Sequence, residues 1–224
     1  MTVQEARLDL ARRQRLGMVE AVWGEHKSVD QIVAILRSMR SAAELALVTR
    51  VDASKAAAVQ ACCPEVQVHG EAACLTLGAM PACDETIQVA VLSGGTSDRR
   101  VAEEAVLALR VHGIAATPFL DVGVAGLHRL LSVLPDLEPM SVLIACAGME
   151  GALPTVLSGL VPQPVIGVPI SVGYGVSAGG RAALDGMLAS CAPGLSVVNI
   201  DNGYGAAMAA LRIVRGLQSQ EFGG

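Results

Sequence analysis

Apolar runs alternate with amphipathic segments over the last two thirds of the chain. From Thr86 onward, apolar runs predict buried strands at residues 87–92, 114–120, 141–145, 165–168 and 196–200. Each run is followed by a segment with helical periodicity, at residues 98–112, 124–134, 153–160, 178–190 and 206–216. Consecutive strand–helix units of this kind predict an α/β fold. We expect a doubly wound, parallel five-stranded sheet with flavodoxin-like order, because each unit must cross over right-handedly.

The first third of the chain is less regular and predicts a smaller N-terminal α/β domain. Ser28 and Gln31 have the spacing of a capping box, which predicts that a helix begins there. Residues 45–51 have the pattern of a buried strand, and residues 52–61 that of another helix. We therefore expect an N-terminal domain over residues 1–84 and a second domain over residues 85–224.

The composition limits the possible classes of protein. Hydrophobic residues make up 52% of the chain and aromatic residues only 2%, so the core must be built from Ala, Val, Leu and Ile. With a net charge of -5 and no basic patch with interleaved aromatics, the chain is not expected to bind nucleic acid. Prolines and glycines interrupt the most apolar region, residues 140–178, which argues against a membrane-spanning helix. The polar start of the chain does not resemble a signal peptide, so we expect a soluble, cytoplasmic protein.

The six cysteines indicate neither a metal site nor a disulfide framework. The sequence contains no C-x-x-C pair, and the spacings match no common zinc pattern. An intracellular chain of this size does not need disulfides. Each cysteine is therefore expected to be a free thiol that packs as a small buried apolar group.

A glycine-rich segment follows the first predicted strand of the second domain, where ligands bind in a doubly wound sheet. This segment, SGGTSD at residues 93–98, also begins a predicted helix. Its glycines let the backbone approach a ligand and the helix N-terminus favours an anion, so phosphate or ribose binding is one interpretation. A plain turn with an Asp or Ser helix cap is the other.

Glu150 is the single charged residue in the apolar region 140–178 and follows the third predicted strand of the second domain. Desolvation there would raise the pKa of the carboxyl group toward a range useful for proton transfer. A solvated loop carboxylate, or one paired with an arginine, is the alternative.

Other candidates have equally simple explanations. Cys191 precedes the last predicted strand in a loop with Pro and Gly, where reactive side chains are often displayed, but an inert thiol fits as well. Asp201 and Asn202 belong to a segment that an Asn-Gly turn alone explains. His128 and Arg129 fit the solvated face of a predicted helix.

Taken together, these segments resemble the LarB family, the pyridinium-3,5-biscarboxylic acid mononucleotide synthases that act first in making the nickel-pincer cofactor of lactate racemase. The matching segments are SGGTSD at 93–98, DVGVAGLHRL at 121–130, AGMEGALP at 147–154, PVIGVP at 164–169, SVGYG at 171–175, SCAPG at 190–194 and NIDNG at 199–203. The N-terminal residues that also match are Arg15, Gly17, Glu20, Gly24, Lys27 and Thr49-Arg50-Val51, while Val19 stands where a proline is expected. More distantly, residues 85–224 resemble the catalytic domain of aminoimidazole ribonucleotide carboxylases and mutases.

The LarB resemblance implies a reaction and a site. Nicotinic acid adenine dinucleotide would be carboxylated at C5 of its pyridinium ring with carbon dioxide or bicarbonate, and then hydrolysed at its phosphoanhydride to release AMP. Cys191 would be the thiolate nucleophile and Glu150 the base. Nucleotide contacts are implied at Ser93, Gly94, Gly95, Ser97, Asp98, Gly148, Met149, Gly173, Asp201 and Asn202.

The implied chemistry explains the need for a cysteine. An electron-poor pyridinium cannot attack carbon dioxide until a nucleophile adds to the ring at C4 or C6, and a thiolate both adds readily and leaves readily. A magnesium ion that bridges the phosphates would assist hydrolysis, although no residue identifies a metal site. The resemblance and the high apolar content also imply a homo-oligomer, an octamer. The alternatives are an aminoimidazole ribonucleotide carboxylase or mutase of purine biosynthesis, and a nucleotide-binding module without catalysis.

Overall fold

The computed structural model describes residues 8–221, and the side chains of residues 8–217. The chain divides between Ala82 and Cys83 into two compact units, which we describe separately as the N-terminal unit and the C-terminal unit. Within the described residues, no helix is both long enough and apolar enough to cross a membrane.

The N-terminal unit contains a small mixed sheet. Its strands are β1 (Ala21–Trp23), β2 (Ala46–Thr49), β3 (Gln67–His69) and β4 (Cys74–Leu77), in the order β1-β2-β4-β3. Its helices are α1 (Arg12–Leu16), α2 (Val29–Ser41) and α3 (Ala53–Cys62). β1 and β2 are parallel, whereas β4 is antiparallel to both of its neighbours. The parallel pair and the helices that follow it therefore form a βαβα unit.

The two longer helices of this unit begin where the sequence predicts. The Ser28 hydroxyl accepts a hydrogen bond from the Gln31 amide, and the Gln31 side chain accepts one from the Ser28 amide, so the predicted capping box is confirmed. Asp52 caps α3 through the Lys55 amide. The apolar face of α2, with Ile32 fully buried, packs on the sheet in the core of this unit.

The C-terminal unit is the predicted doubly wound sheet. Its strands are β5 (Asp84–Ser93), β6 (Ile114–Phe119), β7 (Val142–Ala147), β8 (Val165–Pro169) and β9 (Ser196–Val197). Its helices are α4 (Arg99–Val111), α5 (Leu127–Leu137), α6 (Ala152–Ser158), α7 (Arg181–Leu188) and α8 (Gly203–Glu221). The order is β6-β5-β7-β8-β9 and every pairing is parallel, which confirms the flavodoxin-like fold.

Helices cover both faces of this sheet. α4 and α8 pack together on one face, and α6 and α7 lie on the other. The central strand β7 is buried along its whole length, as expected for a strand with helices on both sides. The last strand is shorter than predicted, because pairing with β8 ends at Val197.

Candidate active site

A pocket of about 400 Å³ lies at the carboxyl ends of the C-terminal strands. The loops that line it follow β5, β6, β7 and β8. This region includes the switch point between β5 and β7, where the chain reverses the direction in which it adds strands and where ligands of doubly wound proteins bind. The predicted site residues that the structure brings together in this lining are Gly94, Gly95, Ser97, Asp98, Gly148, Met149, Glu150 and Gly173.

Glycines allow these loops to approach one another closely. A Cβ atom on Gly148 would stand 2.5 Å from the carbonyl oxygen of Val172 and 3.3 Å from Oδ1 of Asp98. The Gly94 amide donates to the carbonyl of Cys146 over 2.9 Å, which joins the loop after β5 to the end of β7. The pocket is therefore built mainly from backbone, and its shape depends on the absence of side chains at these positions.

Asp98 is a buried carboxylate beneath the glycine loops. Its Oδ2 accepts a hydrogen bond from the Gly95 amide at 2.8 Å. Burial raises the pKa of the Asp98 carboxyl group, and the amides of Gly95, Gly148 and Gly94 oppose that rise by hydrogen bonding. The side chain thus ties the loop after β5 to the loop after β7, in addition to lining the pocket.

Arg129 supplies the positive charge of the pocket, a role that the sequence interpretation missed. It is the only Arg or Lys among the described residues that line the pocket, and its guanidinium lies 2.7 Å from Oδ2 of Asp121. Asp121 has a left-handed backbone conformation (φ 59°), and its amide donates to the Ser93 hydroxyl over 3.2 Å. The available signal was the position of Arg129 in the first turn of the helix that follows β6.

Glu150 lies at the rim of the pocket on an unusual turn. Met149 and Gly151, on either side, both have left-handed conformations, with φ values of 55° and 69°. Such conformations are costly for a non-glycine residue and concentrate at functional sites. The Glu150 side chain is solvent-exposed in this chain, so of the two environments considered from the sequence, the solvated carboxylate describes it.

Three predicted nucleotide contacts do not line the pocket. The Ser93 side chain is fully buried and accepts the hydrogen bond from the Asp121 amide. Oδ1 of Asp201 accepts from the Ser171 amide at 2.8 Å, and Oδ1 of Asn202 accepts from the Gly205 amide at 2.8 Å. These side chains hold the loops around the pocket in place.

Cys191 is exposed and does not line this pocket. It lies between α7 and β9, in a connection that leads to the amino end of a strand. The preceding residue, Ser190, accepts a hydrogen bond from the Thr155 hydroxyl at 2.8 Å, which holds this loop against α6. Because α6 begins with the pocket-lining Ala152, the cysteine loop is attached to the helix that starts at the site.

The prediction that every cysteine is buried is wrong for half of them. Cys63, Cys74 and Cys146 are buried, and burial raises the pKa of the Cys146 thiol strongly. The exposed cysteines lie at the end of a helix or in connecting segments, where few neighbours can cover a side chain: Cys62, Cys83 and Cys191. All six thiols are free.

Taken together, the fold and the pocket define a doubly wound α/β protein with a glycine-lined ligand site at the switch point of its sheet. Residues 88–222 match the model of the AIR carboxylase family, and residues 1–79 match the LarB/PurE-like N-terminal domain. The chain therefore belongs to the AIR carboxylase family and carries the N-terminal domain of its LarB-like members.

The chain is also similar to two other proteins and to one solved structure. An uncharacterized protein of Methanocaldococcus jannaschii is 36% identical over 215 residues, which span 92% of this chain and 83% of the relative. The N5-carboxyaminoimidazole ribonucleotide mutase of the same organism is 34% identical over 133 residues, or 56% of this chain and 78% of the mutase. The crystal structure of Treponema denticola PurE2-S38D aligns with a TM-score of 0.43 and 19% identity, covering 60% of this chain and 94% of that one.

Proposed function

We propose that this enzyme carboxylates C5 of the pyridinium ring of nicotinic acid adenine dinucleotide and then hydrolyses the phosphoanhydride to release AMP. The product is pyridinium-3,5-biscarboxylic acid mononucleotide, the precursor for a nickel-pincer cofactor. The observation that carries the proposal is a backbone-lined pocket with one guanidinium, Arg129, and an exposed carboxylate at its rim, Glu150, in a chain with a LarB-like N-terminal domain.

The pocket suits the nicotinate mononucleotide half of this substrate. Its volume of about 400 Å³ lies at the lower end of the range of small-molecule sites. Ser97 of the loop 93–98 lines the pocket with a hydroxyl that can donate to a phosphate, and Arg129 offers a charge-assisted hydrogen bond to the same group. Half-buried Gly148 and Gly173 leave room for a flat ring against the backbone.

The carboxylation proceeds through a covalent adduct. The thiolate of Cys191 forms a C–S bond to C4 or C6 of the pyridinium, and the ring becomes a neutral enamine. The electron pair of the enamine forms the bond from C5 to the carbon of carbon dioxide. Glu150 then accepts the C5 proton, and the C–S bond breaks so that the thiolate leaves and the ring regains its aromatic charge.

The hydrolysis consumes one water molecule and separates the two phosphates. Arg129 would stabilise the negative charge that develops on the phosphate that remains with the product. The described residues contain no cluster of three or more His, Cys, Asp or Glu side chains that could hold a metal ion.

The exposed position of Cys191 supports a shared site in a homo-oligomer, which we propose to be an octamer. In a single chain the thiol does not line the pocket, so it has to come from another copy or move with its loop. Apolar side chains at or near the rim are unusually exposed: Val172, Tyr174 and Val176 are 49%, 78% and 95% exposed. Association of subunits would cover such a surface.

The second candidate is the N5-carboxyaminoimidazole ribonucleotide mutase reaction, which is favoured by 34% identity over 133 residues to a protein of that name. That reaction starts from an electron-rich aminoimidazole and needs no ring-activating thiolate. Cys191 would then be dispensable.

Substrate turnover tests the proposed function. The protein is incubated with nicotinic acid adenine dinucleotide and carbon-13 bicarbonate, and the products are identified by mass spectrometry. We expect AMP and a mononucleotide that carries one labelled carboxylate. Turnover of N5-carboxyaminoimidazole ribonucleotide, with the dinucleotide left unchanged, would favour the second candidate.

Mixed oligomers test whether the site is shared. Cys191→Ala and Glu150→Gln are each expected to be inactive, and the two are mixed under conditions that allow subunit exchange. A thiol acting in the pocket of another copy would restore activity at about a quarter of the sites, since each site draws randomly on both variants. A thiol acting in its own chain's pocket would restore none.

A further inference from the structure

The N-terminal unit displays the single tryptophan of the chain to solvent. Trp23 ends β1 and is 50% exposed. The core of this unit forms without it, from aliphatic side chains of the sheet and of α2 and α3. A large aromatic ring left in water does little for folding, and tryptophan is enriched at interfaces, where its apolar body and polar N–H can both find partners.

The loop after Trp23 is held in a defined shape. Gly24 lies so close to β2 that a Cβ atom there would stand 2.7 Å from the Val51 side chain. The Lys55 ammonium donates to the carbonyl oxygens of Gly24 and Glu25 at 3.0 Å and 2.8 Å. The backbone that follows Trp23 is therefore held in place before any ligand arrives.

Groups of both charges lie near the indole: its Nε1 donates to the Glu25 carboxylate at 3.1 Å, and the His26 ring packs edge-on with ring centroids 4.9 Å apart. The guanidinium of Arg50 lies over the Trp23 ring, 5.8 Å from its centroid, and 3.7 Å from the Glu25 carboxylate. Arg50 is held there in a left-handed conformation, with φ at 57°. Lys27 is half-buried on the same loop, and none of the described residues accepts a hydrogen bond from its ammonium.

These groups lie at the carboxyl ends of two adjacent parallel strands. Trp23 pairs in register with Thr49, so the loop after β1 and the residue after β2, Arg50, stand side by side. Each strand leads into the N-terminus of a helix, α2 or α3. This is the edge at which parallel α/β sheets bind their ligands.

We propose that Trp23, Lys27 and Arg50 form a second binding site, which we call the indole site, and that it binds a purine nucleotide. The flat base stacks on the exposed part of the indole, as bases do on aromatic side chains in many proteins. The phosphate pairs with Lys27 and Arg50. The Ser28 hydroxyl already accepts a hydrogen bond from the Gln31 amide at the start of α2. Most of the attraction for the phosphate therefore comes from the Lys27 and Arg50 side chains and not from the N-terminus of this helix.

The indole site lies within the N-terminal unit and does not depend on the carboxylation proposed for the C-terminal unit. AMP is the natural probe, because it carries one base and one phosphate. Trp23 is also the only tryptophan, so intrinsic tryptophan fluorescence reports on this site alone.

The test is a fluorescence titration of the full chain with AMP. We expect a saturable change in Trp23 emission with AMP, and much weaker responses to adenosine or inorganic phosphate alone, because each lacks half of the recognition. Lys27→Gln keeps the reporter and should weaken AMP binding about tenfold or more, as expected for a lost charge-assisted hydrogen bond. Lys27→Met, of similar length, should behave in the same way.

Two control variants separate this site from others. Arg40→Ala removes an exposed cation of the same unit that pairs with Glu65, and it should leave the AMP response unchanged. Arg129→Ala alters the C-terminal pocket and should also leave it unchanged. Absence of a saturable response in the wild-type protein would overturn the proposal. A response that survives Lys27→Gln and Lys27→Met but disappears in Arg129→Ala would overturn it as well, because the nucleotide would then be bound in the other pocket.

Discussion

The carboxyl ends of the parallel strands differ between the two units. In the C-terminal unit, β5, β7 and β8 end in glycine loops, and the pocket between them is lined largely by backbone and small side chains. In the N-terminal unit, β1 and β2 end at or beside Trp23, Lys27 and Arg50, whose side chains are large. At this edge of its sheet the C-terminal unit thus has glycines, whereas the N-terminal unit has large side chains.

This difference determines which substitutions matter. In the C-terminal pocket an added methyl group is expected to be harmful at Gly123, Gly148 and Gly173, because neighbouring backbone leaves no space for it. At the proposed indole site a removed side chain should weaken binding, because the recognition there is assigned to side chains. Glu150 is the exception in the C-terminal pocket, because its proposed role depends on its own carboxylate and not on the absence of a side chain.

The largest effect is expected for that exception. Glu150→Gln should lower carboxylation of nicotinic acid adenine dinucleotide by about 10²- to 10⁴-fold, because the C5 proton loses its acceptor. The thiolate adduct should still form, and intact-protein mass spectrometry can detect it. Near-native carboxylation by this variant would remove Glu150 from the mechanism.

Gly148→Ala tests the close approach of the pocket loops through its effect on the free energy of unfolding. Its Cβ atom would meet the Val172 carbonyl at 2.5 Å, so we expect a loss of about 1–3 kcal/mol in the free energy of unfolding, together with weaker dinucleotide binding. Gly216→Ala is the matched control, since Gly216 lies in α8 with nothing within 4 Å of its Cβ position. That change should stabilise the protein by about 0.5–1 kcal/mol. Equal effects of the two substitutions in urea unfolding would contradict the close packing of the loops.

The pH dependence of stability tests the buried position of Asp98. The pKa of its carboxyl group is raised in the folded state, chiefly by burial, so its contribution to stability is fully present below the unfolded value of 3.8 and is lost as the pH rises through the raised value. Asp98→Asn cannot titrate. The difference in unfolding free energy, wild type minus variant, should therefore decrease as the pH rises from below 3.8 toward neutrality. A difference that is independent of pH would mean that Asp98 is not desolvated.

The smallest effect is expected at an exposed pair in the N-terminal unit. Arg40 lies 2.7 Å from Glu65, and both side chains are at least half exposed. Arg40→Ala should change the free energy of unfolding by less than about 1 kcal/mol, because water and salt screen such pairs. A larger loss in urea unfolding would show that the pair stabilises this unit more than its exposure indicates.

Much of the C-terminal fold could be predicted because each strand is a continuous apolar run with its own helix. The short strands of the N-terminal unit, β1 and β3, could not be predicted from periodicity, since three residues are too few to show a period. In both units the structure agrees with the prediction where the local sequence signal is strong, as at the capping box of Ser28 and Gln31.

The candidate site was only partly predictable for a different reason. Glycine-rich loops after strands are visible in a sequence, and they did meet in one pocket. Whether a polar side chain in such a loop faces a ligand or holds a neighbouring loop depends on distant backbone, and Asp201 bonds to an amide 30 residues away. Arg129 was missed because its helical spacing resembles that of an exposed face, whereas Asp121 holds it beside the pocket.

The central claim is that Cys191 forms a covalent bond to a pyridinium ring. Oxidised NAD carries the same kind of ring, so it should form the adduct without being an efficient substrate. The measurement is mass spectrometry of the protein incubated with oxidised NAD, followed by trypsin digestion, since the peptide 182–212 contains Cys191 as its only cysteine. We predict one added dinucleotide on that peptide, no addition in Cys191→Ala, and loss of carboxylation of nicotinic acid adenine dinucleotide in the same variant. Near-native carboxylation by Cys191→Ala would contradict the covalent mechanism and favour the imidazole mutase reaction.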